Sequence, residues 1–392
     1  MKLSDRSAID DVPSRLALAL DAARLARPDS IDLTLSNPTR AELSYAAYGP
    51  PSEWLAFEAP LYSPDPLGLP SARAAIARQW PGRHGGPDPD NIVLLPSSSE
   101  AYHYLFTLLC DVGDEVLAPE PSYPLLAHLA RYAGVSLVPY QLIHDGAWHI
   151  DIDSVRRAKT ARSRAIVLIS PNNPTGSYTS AGELAALAEL GLPLLCDEVF
   201  AHYDLEPERR KLESAFGASS ALTFCIDGLS KSAGLPQLKL SWVAVSGPQA
   251  QVEESMRRLS WLADTYLSVA SPIQQALPLL LQRAPAFRAG LCERLRRNRD
   301  ALARALGGSA ASLLRGEGGW YAVVRLPNVA SEEEWVLGLL EQRGVLTHPG
   351  YFYDFSERSP HLVLSLLPPP ESFARGAEEI RAEVELRATR GG

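Results

Sequence analysis

Sulfur is scarce in this 392-residue chain, which has four cysteines and two methionines. Cys110, Cys196, Cys225 and Cys292 lie far apart, with no C-x-x-C spacing and no paired histidine ligands. That argues against a zinc site or a disulfide framework and for buried, reduced thiols. Positive charge is short as well. Lysine and arginine total 37 against 46 aspartates and glutamates, a net charge of -9 with no basic run. Nucleic acid and anionic membrane surfaces are therefore excluded as partners on electrostatic grounds. No apolar run is long enough to span a bilayer, and the first residues lack the hydrophobic stretch of a secretory signal, so the expectation is a cytoplasmic protein. Internal repeats and low-complexity segments are also missing. Lysine is rare, and Lys2, Lys159, Lys211, Lys231 and Lys239 are all there are.

What is present is apolar sequence in short, regularly spaced pieces. A hydrophobic content of 46% over this length is ample for a buried core and predicts one large or two smaller domains. The spacing predicts a helix over 12–25, a short strand over 31–35, a turn at Asn37-Pro38 and a helix over 71–79. Seven strands follow, at 92–95, 115–118, 136–140, 165–169, 192–196, 223–227 and 241–246. Helices through Cys110 and Tyr132 and over 181–190 alternate with them. This alternation predicts an α/β protein whose mostly parallel seven-stranded sheet is sandwiched by helices. Residues 268–306 read as helix, and 320–326 and 362–366 as strands of a smaller α+β domain. The division expected is a large domain over 48–283 and a small domain formed by both chain ends, 1–47 and 284–392. Residues 385–392 read as frayed.

In such sheets ligands gather beyond the carboxyl ends of the strands, and three chemically complementary side chains follow predicted strands in order. Asn173 lies in Ser-Pro-Asn-Asn-Pro-Thr-Gly, Asp197 closes Leu-Pro-Leu-Leu-Cys-Asp, and Lys231 lies in Gly-Leu-Ser-Lys-Ser-Ala-Gly. They supply an amide for a phenolic oxygen, a carboxylate for a pyridinium and an amine for an imine. These are the contacts that pyridoxal phosphate chemistry requires. Taken singly, Asp197 could cap a turn, Asn173 could belong to a plain loop and Lys231 could be an ordinary surface charge. Their order along the chain makes a shared site the better reading. The coenzyme's phosphate needs amide donors and cations. Ser98 and Ser99 open a helix after the strand at 92–95 and can bind it, cap the helix, or do both. Ser230 and Lys239 flank Lys231 and are further candidates. Tyr123, in Pro-Glu-Pro-Ser-Tyr-Pro, can stack on the ring or simply pack on its loop. His103, His128, His202 and His348 show no paired acid or nucleophile in the sequence, so no metal or triad role is assigned to them.

On these residues the chain resembles the class I/II aminotransferases, the aspartate aminotransferase-like fold type I enzymes that use pyridoxal 5'-phosphate. The likeness runs from about Ile31 to Leu366 and is most specific from Ser170 to Lys239. The resemblance implies that Lys231 carries the coenzyme and later moves the proton, that Asp197 pairs with the ring nitrogen and Asn173 with the ring oxygen, and that Tyr123 stacks. It implies that Ser98, Ser99, Ser230 and Lys239 bind phosphate. Tyr62 would reach the phosphate of a neighbouring subunit, which implies a homodimer with shared sites. The implied activity is ping-pong transfer of an amino group between an amino acid or amine and a 2-oxo acid in a biosynthetic process. A lyase of the same fold, such as one cleaving a β carbon–sulfur bond, and a non-catalytic sensor domain are the alternatives.

Four positions depart from the family pattern. Lys239 replaces an arginine, keeping the charge but losing bidentate geometry, and Gly228 replaces a phosphate-binding serine, so weaker phosphate binding is expected. Phe200 replaces a tyrosine that donates to the ring oxygen, which should raise the pKa of the lysine-linked coenzyme. Val363 stands where an arginine usually clamps the substrate carboxylate. Arg40, after Asn37, is the expected substitute for that arginine, with Asn37 and Asn173 beside it as tentative substrate contacts. The other reading is a substrate without the carboxylate.

Overall fold

Each of the seven apolar runs becomes a strand of one large sheet in the computed structural model, which describes residues 4–8, 15–26, 29–54, 63–80, 86–208, 211–355 and 359–390. The strands are β1 (Ile92–Leu95), β2 (Glu115–Glu120), β3 (Ser136–His144), β4 (Trp148–Ile150), β5 (Ser163–Ile169), β6 (Leu194–Asp197), β7 (Thr223–Gly228) and β8 (Ser241–Ser246). Their order across the sheet is β1-β8-β7-β6-β5-β2-β3-β4. The five strands from β7 to β3 run parallel to their neighbours, β8 is antiparallel to β1 and β7, and β4 is antiparallel to β3. The eighth strand, β4, extends the expected seven. At three residues it is too short for periodicity to reveal.

The central strands are buried along nearly their whole length because helices cover both faces. Val93, Leu195 and Phe224 project to one side, where they meet Leu105 and Phe106 of helix Ser98–Leu109 and Met256 and Leu259 of helix Gln249–Tyr266. Ile166, Leu194 and Cys225 project to the other side, against Leu184 and Leu187 of helix Ala181–Ala188. All four cysteines are free thiols, and Cys196, Cys225 and Cys292 are buried.

The 36-residue helix Ser271–Leu306 leads from this sheet to a second one. That sheet is antiparallel and four-stranded, ordered Ser312–Leu314, Tyr321–Arg325, His361–Ser365, His348–Pro349. The N-terminal strand shrinks to Ile31–Asp32, pairs in parallel with Val345–Leu346, and hands the chain on so that Leu33 accepts a backbone bond from Ser365. Residues 385–390 are not frayed. They continue the helix Pro370–Arg390, which Phe373, Ala377, Ile380 and Val384 anchor through one buried stripe at helical spacing.

Candidate active site

The carboxyl ends of β1, β5, β6 and β7 lie along one edge of the large sheet, and each is followed by a segment that carries a candidate residue. After β1, Ser97 caps helix Ser98–Leu109 by accepting from the Glu100 N–H at 3.1 Å. The capping role therefore falls to Ser97, and Ser98 and Ser99 stand in the first turn with amides and hydroxyls available. After β5, the chain enters a tight turn through the cis bonds Ser170–Pro171 and Asn173–Pro174 and leaves it at Gly176, φ 71°. A Cβ at Gly176 would lie 2.5 Å from the Gly318 carbonyl oxygen, so only glycine fits where the turn meets the loop between strands Ser312–Leu314 and Tyr321–Arg325 of the second sheet. Asp197 is the last residue of β6, and Lys231 lies in the short helix Leu229–Ser232 directly after β7.

These segments enclose a cavity of about 470 Å³. Ser98, Ser99, Tyr123, Asn173, Asp197, Ser230, Lys231 and Lys239 all line it. The Asp197 carboxylate accepts from the Tyr102 hydroxyl at 3.0 Å and from the Val199 N–H at 3.2 Å. Burial nevertheless pushes its pKa up to about 6, against the pull of those two bonds. Burial pushes the Lys231 amine the other way, down to about 8, opposed by the Asp197 carboxylate. The Lys231 Nζ lies 5.0 Å from the centroid of the Trp320 ring and 5.7 Å from that of Phe200. Its backbone carbonyl accepts from the buried Tyr203 hydroxyl at 2.6 Å. Asn173 is buried and its Oδ1 has no partner among the described residues.

The departures acquire physical reasons. Phe200 stands edge-on to Trp320, centroids 5.2 Å apart, and to Tyr321, so its place is filled by an apolar aromatic cluster. A Cβ at Gly228 would lie 2.6 Å from Cβ of Ser241, its register partner on β8, and Ser241 itself lines the cavity. The missing hydroxyl at 228 thus has a counterpart on the adjacent strand. Val363 is buried between Val323 and His348 in the second sheet and carries no charge there.

The other candidates fall differently. Asn37 and Arg40 are exposed and do not line the cavity. The Asn37 side chain accepts from Thr39 at 3.0 Å (N–H) and 2.7 Å (O–H), closing the turn Pro38–Arg40. The segment's contribution to the wall is Ser36. Tyr62 lies outside the described residues. Of the aromatic run near 351, Phe352 and Tyr353 line the cavity and Tyr351 is exposed. Two histidines have partners the sequence did not disclose: His202 Nε2 lies 3.5 Å from the Asp227 carboxylate, and His348 Nδ1 lies 3.1 Å from the Tyr353 hydroxyl. Sequence reading also passed over Tyr102, Tyr321 and His348 as cavity residues. Only Tyr102 left a signal, since it sits three and four places beyond Ser99 and Ser98 on the same helical face.

A helix-covered parallel sheet with an amine, an acid, an amide and a serine-lined helix terminus at its carboxyl edge defines a pyridoxal phosphate enzyme of fold type I, and the residues present fit that coenzyme. The chain belongs to the aminotransferase class I and II family, whose profile matches residues 54–366. Both the family and the fold are those of pyridoxal phosphate-dependent enzymes. A probable N-succinyldiaminopimelate aminotransferase of Mycobacterium tuberculosis is 34% identical over 255 residues, 62% of each chain, so the match spans less than two thirds of that relative's length. Alanine aminotransferase of Mycobacterium bovis is 29% identical over 329 residues, 81% of this chain and 76% of that one. Among solved structures, alanine aminotransferase from Pyrococcus furiosus shares the fold with a TM-score of 0.86 at 24% identity, covering 98% of this chain and 100% of that one.

Proposed function

We propose that the protein is an aminotransferase that moves an amino group between an amino acid, or an amine, and a 2-oxo acid in two half-reactions at one site. The observation that carries this reading is the placement of Lys231 and Asp197 in the wall of one cavity, each desolvated, with the amine's pKa pushed down to about 8 and the acid held by Tyr102. When bound, pyridoxal phosphate supplies an electron sink for the carbon that bears the nitrogen.

The protein's own part is binding, orientation and proton transfer. Ser98, Ser99, Ser230 and Lys239, joined by Ser241, would hold the phosphate, and Asn173 and Asp197 would orient the ring. The buried carboxylate of Asp197 keeps a proton on the ring nitrogen, because a charged pair in a dry site favours both charges. Tyr123 would stack on the ring. With its pKa near 8, Lys231 is free of its proton in a useful fraction at neutral pH and can take one from the substrate carbon and return it. Two copies of the chain sharing their sites through Tyr62, a cytoplasmic setting, and a division near residue 283 into a large and a small domain belong to the same proposal. Among the described residues no helix is long and apolar enough to cross a membrane.

The test is a screen of amino donors against the purified protein loaded with coenzyme. A donor that removes the coenzyme's visible band, with recovery on adding a 2-oxo acid, is the expected result. Ammonia and pyruvate released without an acceptor would instead mark a lyase. A preparation that no donor changes would remove the aminotransferase reading.

A further inference from the structure

An amino acid and a 2-oxo acid both carry a carboxylate beside the reacting carbon, and burying that charge among aromatic rings without a counter-charge is strongly unfavourable. Among the described residues lining the cavity, those able to carry positive charge are Lys231, Lys239 and His348, and none is an arginine. Lys231 is the reacting amine. Lys239 lies two places before Ser241, whose register partners are Leu95 and Gly228. It therefore belongs to the serine end of the cavity, beside the start of helix Ser98–Leu109. His348 comes from the second sheet.

We propose that His348, braced by the Tyr353 hydroxyl, is the group that anchors the substrate carboxylate, and that it does so by taking up a proton as the carboxylate enters. This rests on the aminotransferase reading above. Strand His348–Pro349 pairs antiparallel with His361–Ser365, and His348 stands directly opposite Val363. Opposite residues on paired strands project to the same face, so the imidazole occupies the face that Val363 leaves without charge. Tyr321, opposite Ser365 on the same face, lines the cavity beside it. The bond to Tyr353 engages Nδ1 at 3.1 Å, and Nε2 makes no hydrogen bond among the described residues. Phe352 packs against the ring at a centroid distance of 5.7 Å and limits its rotation.

The groups facing His348 are few. Tyr353 comes from the turn Gly350–Tyr353 and Tyr321 from strand Tyr321–Arg325, and burial raises the pKa of both, so they remain neutral donors. Asp32 of the N-terminal strand contributes a negative charge that opposes the effect of burial, Val363 contributes none, and His361 lies two residues along the same face as Val363. Burial lowers the pKa of His348 below 6.5 in the free cavity, and a bound carboxylate raises it. The sign follows. Carboxylate affinity is greatest below the free-state pKa, falls about tenfold per pH unit above it, and levels off at the pKa of the complex. An arginine anchor would show no such fall.

The experiment measures binding of the non-reacting carboxylate 3-phenylpropanoate to the coenzyme-loaded protein by calorimetry. It uses pH 6 and pH 8 and two buffers of different ionisation enthalpy. Expected are uptake of a proton on binding and affinity at least about tenfold weaker at pH 8. In His348→Gln the uptake and the pH dependence disappear, and in His348→Arg affinity becomes independent of pH. A second readout compares phenylalanine with phenethylamine, which lacks the carboxylate. His348→Gln should lower their ratio of kcat/KM by about tenfold or more at pH 6, a ratio that general damage to the fold or to coenzyme loading would leave unchanged. Uptake that persists in His348→Gln, pH-independent binding in the unaltered protein, or no carboxylate binding at all would overturn the proposal. Failure of every donor to react while the calorimetric pattern holds would instead strike the aminotransferase reading and leave the anchor standing.

Discussion

The two ends of the cavity are built by different means. At the serine end, Ser98, Ser99, Ser230 and Lys231 stand on short helices fixed directly to the strand ends of the large sheet, and Lys239 leads into β8. At the far wall, Ser36, Tyr321, His348 and Tyr353 arrive from three distant parts of the chain and meet through the register of the second sheet and its neighbours. The first end presents backbone amides, hydroxyls and opposite charges in a frame that barely depends on which residues fill the rest of the cavity. The second presents neutral aromatic and imidazole side chains whose identity determines what can enter. Under the proposed function, the first end holds the coenzyme and the second is where substrates are told apart.

The sharpest way to break this comparison is at Lys231. Lys231→Ala should lower kcat/KM by about 10⁴-fold or more, because under the proposed function it removes the amine that forms the covalent link and moves the proton. Borohydride treatment followed by mass measurement should find no coenzyme attached, and retained activity would displace Lys231 from its role.

A smaller effect should appear at Asp197 in the coenzyme-free protein. Its pKa is pushed from 3.8 to about 6 on folding, so the folded state holds this proton more tightly than the unfolded one. The group's unfavourable contribution is absent below the unfolded pKa, grows as pH rises from about 4, and is complete above about 6. That amounts to on the order of 3 kcal/mol. Asp197→Asn should therefore stabilise the coenzyme-free protein at pH 7.5 and leave it unchanged near pH 4. Urea unfolding at the two pH values measures it, and equal effects at both would place the strain elsewhere.

The smallest effect tests the far wall. Arg40 is exposed and stands outside the lining, so Arg40→Ala should leave the amino-donor KM within about twofold, and a sharp rise would return it to the site.

The same division governs what could be read without coordinates. Asn173, Asp197 and Lys231 each follow an apolar run within a few residues, so chain order alone placed them at one sheet edge. Ser98 and Ser99 were legible as a helix start, though not that Ser97 would do the capping. His348 and Tyr321 were not legible as a pair, because the two-residue strand His348–Pro349 is too short to show a period and its register is set by tertiary pairing. Arg40 was the natural candidate in sequence because it is charged and follows a conformationally defined turn. The turn in fact directs that segment outward and leaves Ser36 as its contact. The helix Pro370–Arg390 was hidden by its alanine and arginine content, although Phe373, Ala377, Ile380 and Val384 carry a stripe that periodicity could have found.

The bond from Tyr203 to the carbonyl of Lys231 has a consequence for motion. Tyr203 is wedged against Trp320, and the same carbonyl also accepts from the Gly234 N–H at 3.0 Å, so the main chain under the lysine is gripped twice. Whatever travelling the amine does during turnover must be done by its four methylenes alone, swinging from a root that stays put.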